Sequence, residues 1–511
     1  MPRPAILWLC LALLWPAERA AAAPQAPAGL EGFDRFVEEV MAEWQVPGLA
    51  VAAVKGGEIV VCRAYGFRDP EHGLPVTPRT LFAIGSVTKT FTATGLAMLA
   101  DEGRLDWDRP LRDYLPDFAL MDPEASRRIT PRDLVTHRSG LPRHDVLWYA
   151  EAFDRAELLR RIRYLRPTKG LGETFQYQNL MFMAAGVLAG RLTGSTWEDF
   201  TRRRLLDPLG MTNTRLSLGA FLSAPEIALP YFPGDDGREA VAFRNTDEIA
   251  PAGAVYSSIV DMVRYLRFHL DGGRVNGRRL LSPTGAAELR RVQVRLASSA
   301  PKTTGTEGYG LGFYLARYRG HRVVRHGGAI DGYLARLSFM PEDGLGLVVL
   351  TNLSGGNPVP RLVAYNLYDR LLGLDPLPWA ERRRTADRRR AAAKDAAGET
   401  AEPDPPPLGA LPPPRALAAY AGRYEHPAYG DLRIEARDGA LSGRFNDIGF
   451  ALVPWDGDTW QVPETVWPLR EGLKMTFLAN GHGEVDRLAT PIADGPTYRF
   501  NPGDMIFRRA P

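Results

Sequence analysis

Apolar side chains recur at Phe33, Phe36, Val37, Val40, Met41 and Trp44, the spacing of one helical face, and Pro47-Gly48 ends that helix. Two β-rich stretches follow, Leu49 to Val54 and Ile59 to Tyr65, joined by Lys55-Gly56-Gly57-Glu58, whose glycines suit a tight hairpin. From Leu81 to about Leu270 the pattern is mainly helical, broken by Pro- and Gly-marked turns. Strands return at Gly320 to Arg325, Leu334 to Met340 and Gly346 to Asn352, the last two separated by the turn Pro341-Glu342-Asp343-Gly344. Strands at both ends with helices between predict one antiparallel sheet, flanked by helices, with the helical section inserted as its own lobe. The cleft between sheet and lobe is the expected site.

This α+β unit is predicted to span 30–375. Beyond Trp379 the character changes. Arg382-Arg383-Arg384, Arg388-Arg389-Arg390, an Ala/Lys/Asp/Glu stretch and two proline triplets predict a helix end running into a linker over 380–414, its arginines on a solvated helix face. From 415 to 511 the sequence is strand-rich, with turns at Asp438-Gly439, Asp456-Gly457 and Asn480-Gly481, which predicts a small barrel or sandwich.

The 511 residues are 45% hydrophobic and 24% charged, enough for two or three domains with a large core. The 63 basic and 60 acidic residues leave a formal charge of +3, so nothing in the balance points to nucleic acid as a partner. Arg3, the apolar run Ala5 to Trp15 and the small residues Ala20 to Ala23 have the layout of a secretory signal peptide over 1–23. Eleven apolar residues are about half of the ~20 that a membrane-spanning helix needs, so no stable membrane anchor is expected after cleavage. The expected location is periplasmic or secreted. The mature chain would keep Cys62 alone, which excludes an intramolecular disulfide.

Ser86-Val87-Thr88-Lys89 opens a long helical run, and residues three apart share a helix face, so the Lys89 amine falls within reach of the Ser86 hydroxyl. A serine is a poor nucleophile until a base takes its proton. A lysine does so only when neutral, at a cost of about 1.4 kcal/mol per pH unit that burial and neighbouring cations must supply. The spacing alone is weak evidence: Ser299-Ala300-Pro301-Lys302 repeats it in a proline-broken loop. Ser86 as a helix cap, Tyr177 as a core aromatic and His326 as a turn residue are the structural alternatives. No His-Glu-x-x-His or His-x-His-x-Asp occurs, so no metal or other cofactor is called for.

In chain order, Ser86-Val87-Thr88-Lys89 is followed by Tyr177-Gln178-Asn179 in the helical lobe and by His326-Gly327-Gly328 after the strand Arg322 to Arg325. With Asp133 to Pro142, Pro208-Leu209-Gly210-Met211 and Pro251 to Ser258, this set resembles the class C β-lactamase-related serine hydrolases, a group with penicillin-binding proteins, esterases and D-aminopeptidases. The resemblance covers roughly Phe33 to Leu372. It implies a β-lactamase/transpeptidase-like catalytic domain, Ser86 as nucleophile, Lys89 as its base and Tyr177 as the proton shuttle to the leaving group. It also implies Asn179 as ligand of a substrate amide, Ala329 N–H as second oxyanion donor, His326 at the substrate edge, and Gly327 and Gly328 as the room for substrate backbone. His137 is expected to stabilise its own loop. The tail resembles the lipocalin-like appendage of some members. The Lys-Thr-Gly of true lactamases is missing, and a mostly neutral histidine holds a carboxylate less firmly, which turns the expectation from lactams toward esters, amides or peptides. The partner is then a small-molecule or peptide substrate. A D-amino-acid peptidase, a weak β-lactamase, and a binding or sensor protein that acylates without turnover are the rival readings.

Overall fold

A computed structural model describes residues 29–511 apart from 150–152, 235–236, 298–303, 397–405, 465–468, 470–471 and 492–504. The signal-peptide segment and the second Ser-x-x-Lys lie outside the described residues. The first helix, α1 (Phe33–Glu43), buries Phe33, Val37, Val40 and Met41, the stripe anticipated from its spacing. The hairpin β1 (Gly48–Lys55) and β2 (Glu58–Asp69) belongs with β3 (Leu74–Pro75) to a nine-stranded antiparallel sheet. Its other strands come from the far end of the domain: β4 (Val294–Arg295), β5 (Thr306–Tyr309), β6 (Tyr314–Tyr318), β7 (His321–Ile330), β8 (Tyr333–Met340) and β9 (Leu345–Thr351). Their order is β4-β5-β6-β7-β8-β9-β1-β2-β3.

Pairing of β1 with β9 joins chain segments about 300 positions apart, Leu49 opposite Thr351 and Lys55 opposite Leu345. Every residue of β9 and all but the last of β1 is buried, so both read as continuous apolar runs and hold the centre of the sheet. One face is covered by α1 and α5 (Val359–Leu371). The other carries α4 (Ile259–Leu270) and, beyond it, the helical lobe with α2 (Thr88–Asp101) and α3 (Asn179–Thr193). Both α2 and α3 are buried almost all round, as central helices of a lobe must be.

The stretch 81–270 is mainly helical, with a short ribbon in which Phe82–Ala83 pairs with Tyr256–Ser257. One expectation needs correction: His326-Gly327-Gly328 does not follow a strand but lies inside β7, where the pairs Gly327 with Arg336 and Gly328 with Ala335 continue the ladder. Backbone groups make that ladder, so glycines take part despite their poor strand propensity.

After α5, helix α6 (Trp379–Ala396) carries both arginine triplets. The tail is a closed eight-stranded antiparallel barrel, β10 (Gly422–His426), β11 (Gly430–Arg437), β12 (Ala440–Phe445), β13 (Ile448–Asp456), β14 (Thr459–Gln461), β15 (Lys474–Ala479), β16 (Val485–Thr490) and β17 (Met505–Arg509). Buried and outward positions alternate along β12 without a break, the signature of a side-chain-filled barrel. Among the described residues no helix is long and apolar enough to cross a membrane.

Candidate active site

The two-stranded ribbon sets the position of Ser86. Ile84 N–H donates to Val255 O (2.9 Å) and Val255 N–H to Thr88 Oγ1 (3.2 Å), pinning the entry of α2 to the Pro251–Ser258 segment. Between them, Gly85–Val87 forms one tight turn, with Gly85 at φ +50°. Ser86 is half-buried at this turn, and Lys89 lies in the first turn of α2, wholly buried.

Lys89 Nζ has three oxygen neighbours: Ser86 Oγ at 3.0 Å, Asn179 Oδ1 at 2.7 Å and Ala252 O at 2.6 Å. An amide oxygen and a carbonyl only accept, so they take two N–H bonds from the amine in either protonation state. The third direction is left for Ser86, as a donor in the ammonium and as a lone pair in the neutral amine. Burial pushes the Lys89 pKa well below its usual value, and the Arg143 guanidinium pushes the same way, partly opposed by Asp145. Both effects shift Lys89 toward the neutral amine, the form in which Ser86 Oγ–H can donate to Nζ.

Asn179 bridges this group to Asp145, its Nδ2 donating to Asp145 Oδ1 at 2.8 Å, so both ends of its amide are engaged within the protein. Asp145 also pairs with Arg143 at 2.5 Å. Tyr177 is held by its ring: Lys89 Nζ and the Arg143 guanidinium each lie 4.9 Å from the ring centroid, and His137 stacks on it at 4.2 Å. His137 is fully buried, accepts the Gln178 N–H on Nδ1 at 3.0 Å, and has a pKa depressed well below its usual value by burial. It locks the loop that presents Tyr177.

His326 is buried too. Its Nδ1 is 2.7 Å from Gly327 O, which can only accept, so Nδ1 carries the proton and Nε2 accepts from Tyr309 Oη at 3.2 Å. Burial, followed by the nearby Lys89, lowers its pKa to about 3, which keeps the ring neutral. The lactamase-type lysine is thus replaced here by an uncharged wall.

Gly328 and Gly85 close the gap between β7 and the Ser86 turn. A Cβ on Gly328 would sit 1.9 Å from Ile84 O, and one on Gly85 would sit 2.9 Å from Ala329 N. Only glycines permit this approach. The Ala329 amide is thereby brought against the Ser86 turn.

Ser86, Tyr177, His326, Gly328 and Ala329 line one cleft of about 710 Å³, with Lys89 and Asn179 buried behind it. Along β7 the partner strand β6 ends at the pair Tyr314–Arg325, so among the described residues 326–330 pair on one side only and leave an open edge to the cleft. Arg143, Asp145 and Ala252 are participants that sequence reasoning missed. Ala252 acts through a backbone carbonyl, which has no residue signature; Arg143 and Asp145 directly follow the Asp133–Pro142 phrase, and that adjacency was the available signal.

Known proteins resemble this chain over both of its parts. A Beta-lactamase family model matches residues 33–371, and a model for a domain of unknown function (DUF3471) matches 409–503. The chain is 31% identical over 423 residues to the unguisins hydrolase of Aspergillus campestris (strain IBT 28561), covering 79% of this chain and 77% of that protein. The octameric penicillin-binding protein homologue from Pyrococcus abyssi has the same fold, with TM-score 0.61 at 22% identity over 93% of this chain and 99% of that one. The D-amino acid amidase from Ochrobactrum anthropi SV3, solved with L-phenylalanine amide, is 25% identical with TM-score 0.55, covering 67% of this chain and 97% of that one.

Proposed function

The chain belongs to the Beta-lactamase family, and we propose that, as a serine hydrolase of this family, it cleaves an ester or amide bond through an acyl-enzyme on Ser86. The observation that carries this reading is Lys89 Nζ, 3.0 Å from Ser86 Oγ with its two other neighbours both obligate acceptors. Lys89 takes the Ser86 proton as Oγ attacks the carbonyl carbon. The Ser86 and Ala329 amides receive the developing oxyanion. Tyr177, beside Lys89, passes the proton to the leaving group, and water then attacks the acyl-enzyme and regenerates Ser86. Asn179 and Asp145 orient Lys89; His326 and the glycines shape the edge on which the substrate backbone lies.

Within this mechanism, an amide or peptide bond next to a D-amino acid is the second reading, favoured by the likeness to the D-amino acid amidase. Comparing D-Ala-D-Ala peptides with p-nitrophenyl esters separates it from an esterase. The reaction belongs outside the cytoplasm on the character of segment 1–23, with cleavage near Ala23. Labelling by a fluorophosphonate probe tests the nucleophile: Ser86→Ala abolishes labelling and turnover together, and persistent labelling removes Ser86 from the role. Labelling of the wild type without turnover of any ester or peptide would leave a binding or sensor protein.

A further inference from the structure

The cleft that holds Ser86 is lined by five arginines, Arg143, Arg325, Arg336, Arg361 and Arg383, and, among the described residues, by no carboxylate. Arg143 and Arg383 are neutralised locally by Asp145 and Asp387, each at 2.5 Å. Arg325, Arg336 and Arg361 have no acidic partner within 4.0 Å among the described residues. Arg325 donates to the neutral Thr306 Oγ1 at 2.7 Å and lies over the Tyr314 ring; Arg336 lies over Tyr365, with its Nε buried and unpartnered.

Register puts two of them side by side. Arg325 and Gly327 are two apart on β7 and so share a face, and Gly327 is the direct partner of Arg336 on β8. Gly327 has no side chain, and the nearest atom to a Cβ placed there is 3.8 Å away, so nothing fills the space beside Arg336. Arg361, from the first turn of α5, faces the same region and is exposed. Burial and then Arg336 depress the pKa of Arg325; that of Arg361 is lowered by burial, opposed by Tyr365, with Arg383 and then Arg336 adding to the depression. Guanidinium groups stay charged, so cations are held together here without a counter-ion, an arrangement that costs free energy until an anion enters.

Building on the Ser86 reading, we propose that this hydrolase acts on acidic substrates, whose oxyanion, a carboxylate or a phosphate, is gripped by Arg325, Arg336 and Arg361 on the face of β7 and β8 turned away from Lys89. The substrate passes the open edge at 326–330 with its scissile carbonyl at Ser86 and its anionic group beyond Gly327. The positive charge missing from the His-Gly-Gly segment is supplied from two strands and a helix instead. Planar guanidinium forks bind either oxyanion in two-point fashion.

Two matched pairs of substrates test this: p-nitrophenyl hemiglutarate against p-nitrophenyl pentanoate, with the anion in the acyl group, and acetyl-D-Ala-D-Ala against its C-terminal amide, with the anion in the leaving group. The expected result is a higher kcat/KM for the anionic member of at least one pair, and a loss of that preference by about ten-fold or more in Arg361→Gln and in Arg336→Gln. Calorimetry on the Ser86→Ala protein reads the site without turnover: glutarate or inorganic phosphate binds, the better of the two identifying the oxyanion, and the same arginine substitutions remove binding. Arg389→Gln, on the outer face of α6, is the control that alters neither. No anionic preference in either pair, or a preference and binding that survive both substitutions, overturns the proposal. Turnover persisting in Ser86→Ala would bring down the serine reading alone, because the calorimetric arm does not use it.

Discussion

Tyr429 Oη, in the turn between β10 and β11 of the barrel, is hydrogen-bonded to His144 Nδ1 at 2.6 Å. His144 is buried, stands in the left-handed region at φ +51°, and sits between Arg143 and Asp145, the residues that set the electrostatics of Lys89. Arg161 of the helical lobe binds the same barrel turn through Pro427 O and Ala428 O at 2.9 and 3.1 Å. The barrel therefore buttresses the loop that flanks the nucleophile.

Tyr429→Phe removes the only hydroxyl in this bond while keeping the ring. It leaves a buried imidazole nitrogen short of a partner, at a cost of about 1–3 kcal/mol. The expected outcome is a several-fold fall in kcat with the circular dichroism spectrum unchanged. An unaltered pH–rate profile and kcat would detach the barrel from the active site.

Lys89 must be neutral to take the Ser86 proton, so activity rises with pH as it deprotonates, and the midpoint of that limb lies well below the ordinary lysine range. Arg143 depresses the Lys89 pKa and Asp145 raises it. Arg143→Gln is expected to move the limb to higher pH and Asp145→Asn to lower pH, each read from kcat/KM against pH. Lys89→Ala is expected to slow acylation by about 10²–10⁴-fold, the range of general-base effects. Shifts of equal sign in the two charge variants would contradict the assignment.

The close approach of β7 to the Ser86 turn separates two adjacent glycines. Gly328→Ala drives a methyl into Ile84 O, whereas Gly327→Ala meets nothing closer than 3.8 Å. Turnover by Gly328→Ala should fall by roughly 10²-fold or more and its thermal midpoint should drop, while Gly327→Ala keeps the wild-type midpoint. Scanning calorimetry with a steady-state assay decides it.

His144, His269 and His326 are all buried, with pKa values lowered by burial from 6.5 to about 4, 3 and 3. Between those values and 6.5 the unfolded chain binds protons that the folded chain refuses. Acid therefore favours unfolding, and stability falls as pH drops below 6.5, by about 1.4 kcal/mol per unit for each group. Urea midpoints at pH 7 and pH 4.5 measure the slope. His269 stacks on Phe339 at 5.3 Å, and His269→Phe, which keeps an aromatic ring there, should lessen the slope by about one proton. A slope that stays the same would exclude His269 as a contributor.

Local geometry was legible in the chain, and long-range geometry only where motifs repeat a known order. The three-residue spacing of Ser86 and Lys89 translates directly into a 3.0 Å contact because one helical turn contains both. The central strands stood out as continuous apolar runs. By contrast, the continuation of β7 through His326, Gly327 and Gly328 was hidden, because ladder pairing depends on the partner strand and glycine advertises a break. The resemblance implies Asn179 as ligand of a substrate amide; its second partner, Asp145, lies on a loop 34 positions earlier. The arginine group was invisible for a similar reason: Arg325, Arg336 and Arg361 meet only through register and helix packing, and nothing in their spacing along the chain links them.

The open edge at 326–330 has a further consequence, for solubility. A strand edge without a partner strand invites a second chain to add to it, and such edges seed aggregates unless they are guarded. This one is short, contains two glycines, and has Arg325 within its strand and Arg336 on the neighbouring one. Two copies approaching edge to edge would bring like charges together on both sides of the seam. The cations placed to receive a small anion thus also keep the doorway from being closed by the wrong occupant, another molecule of the same protein.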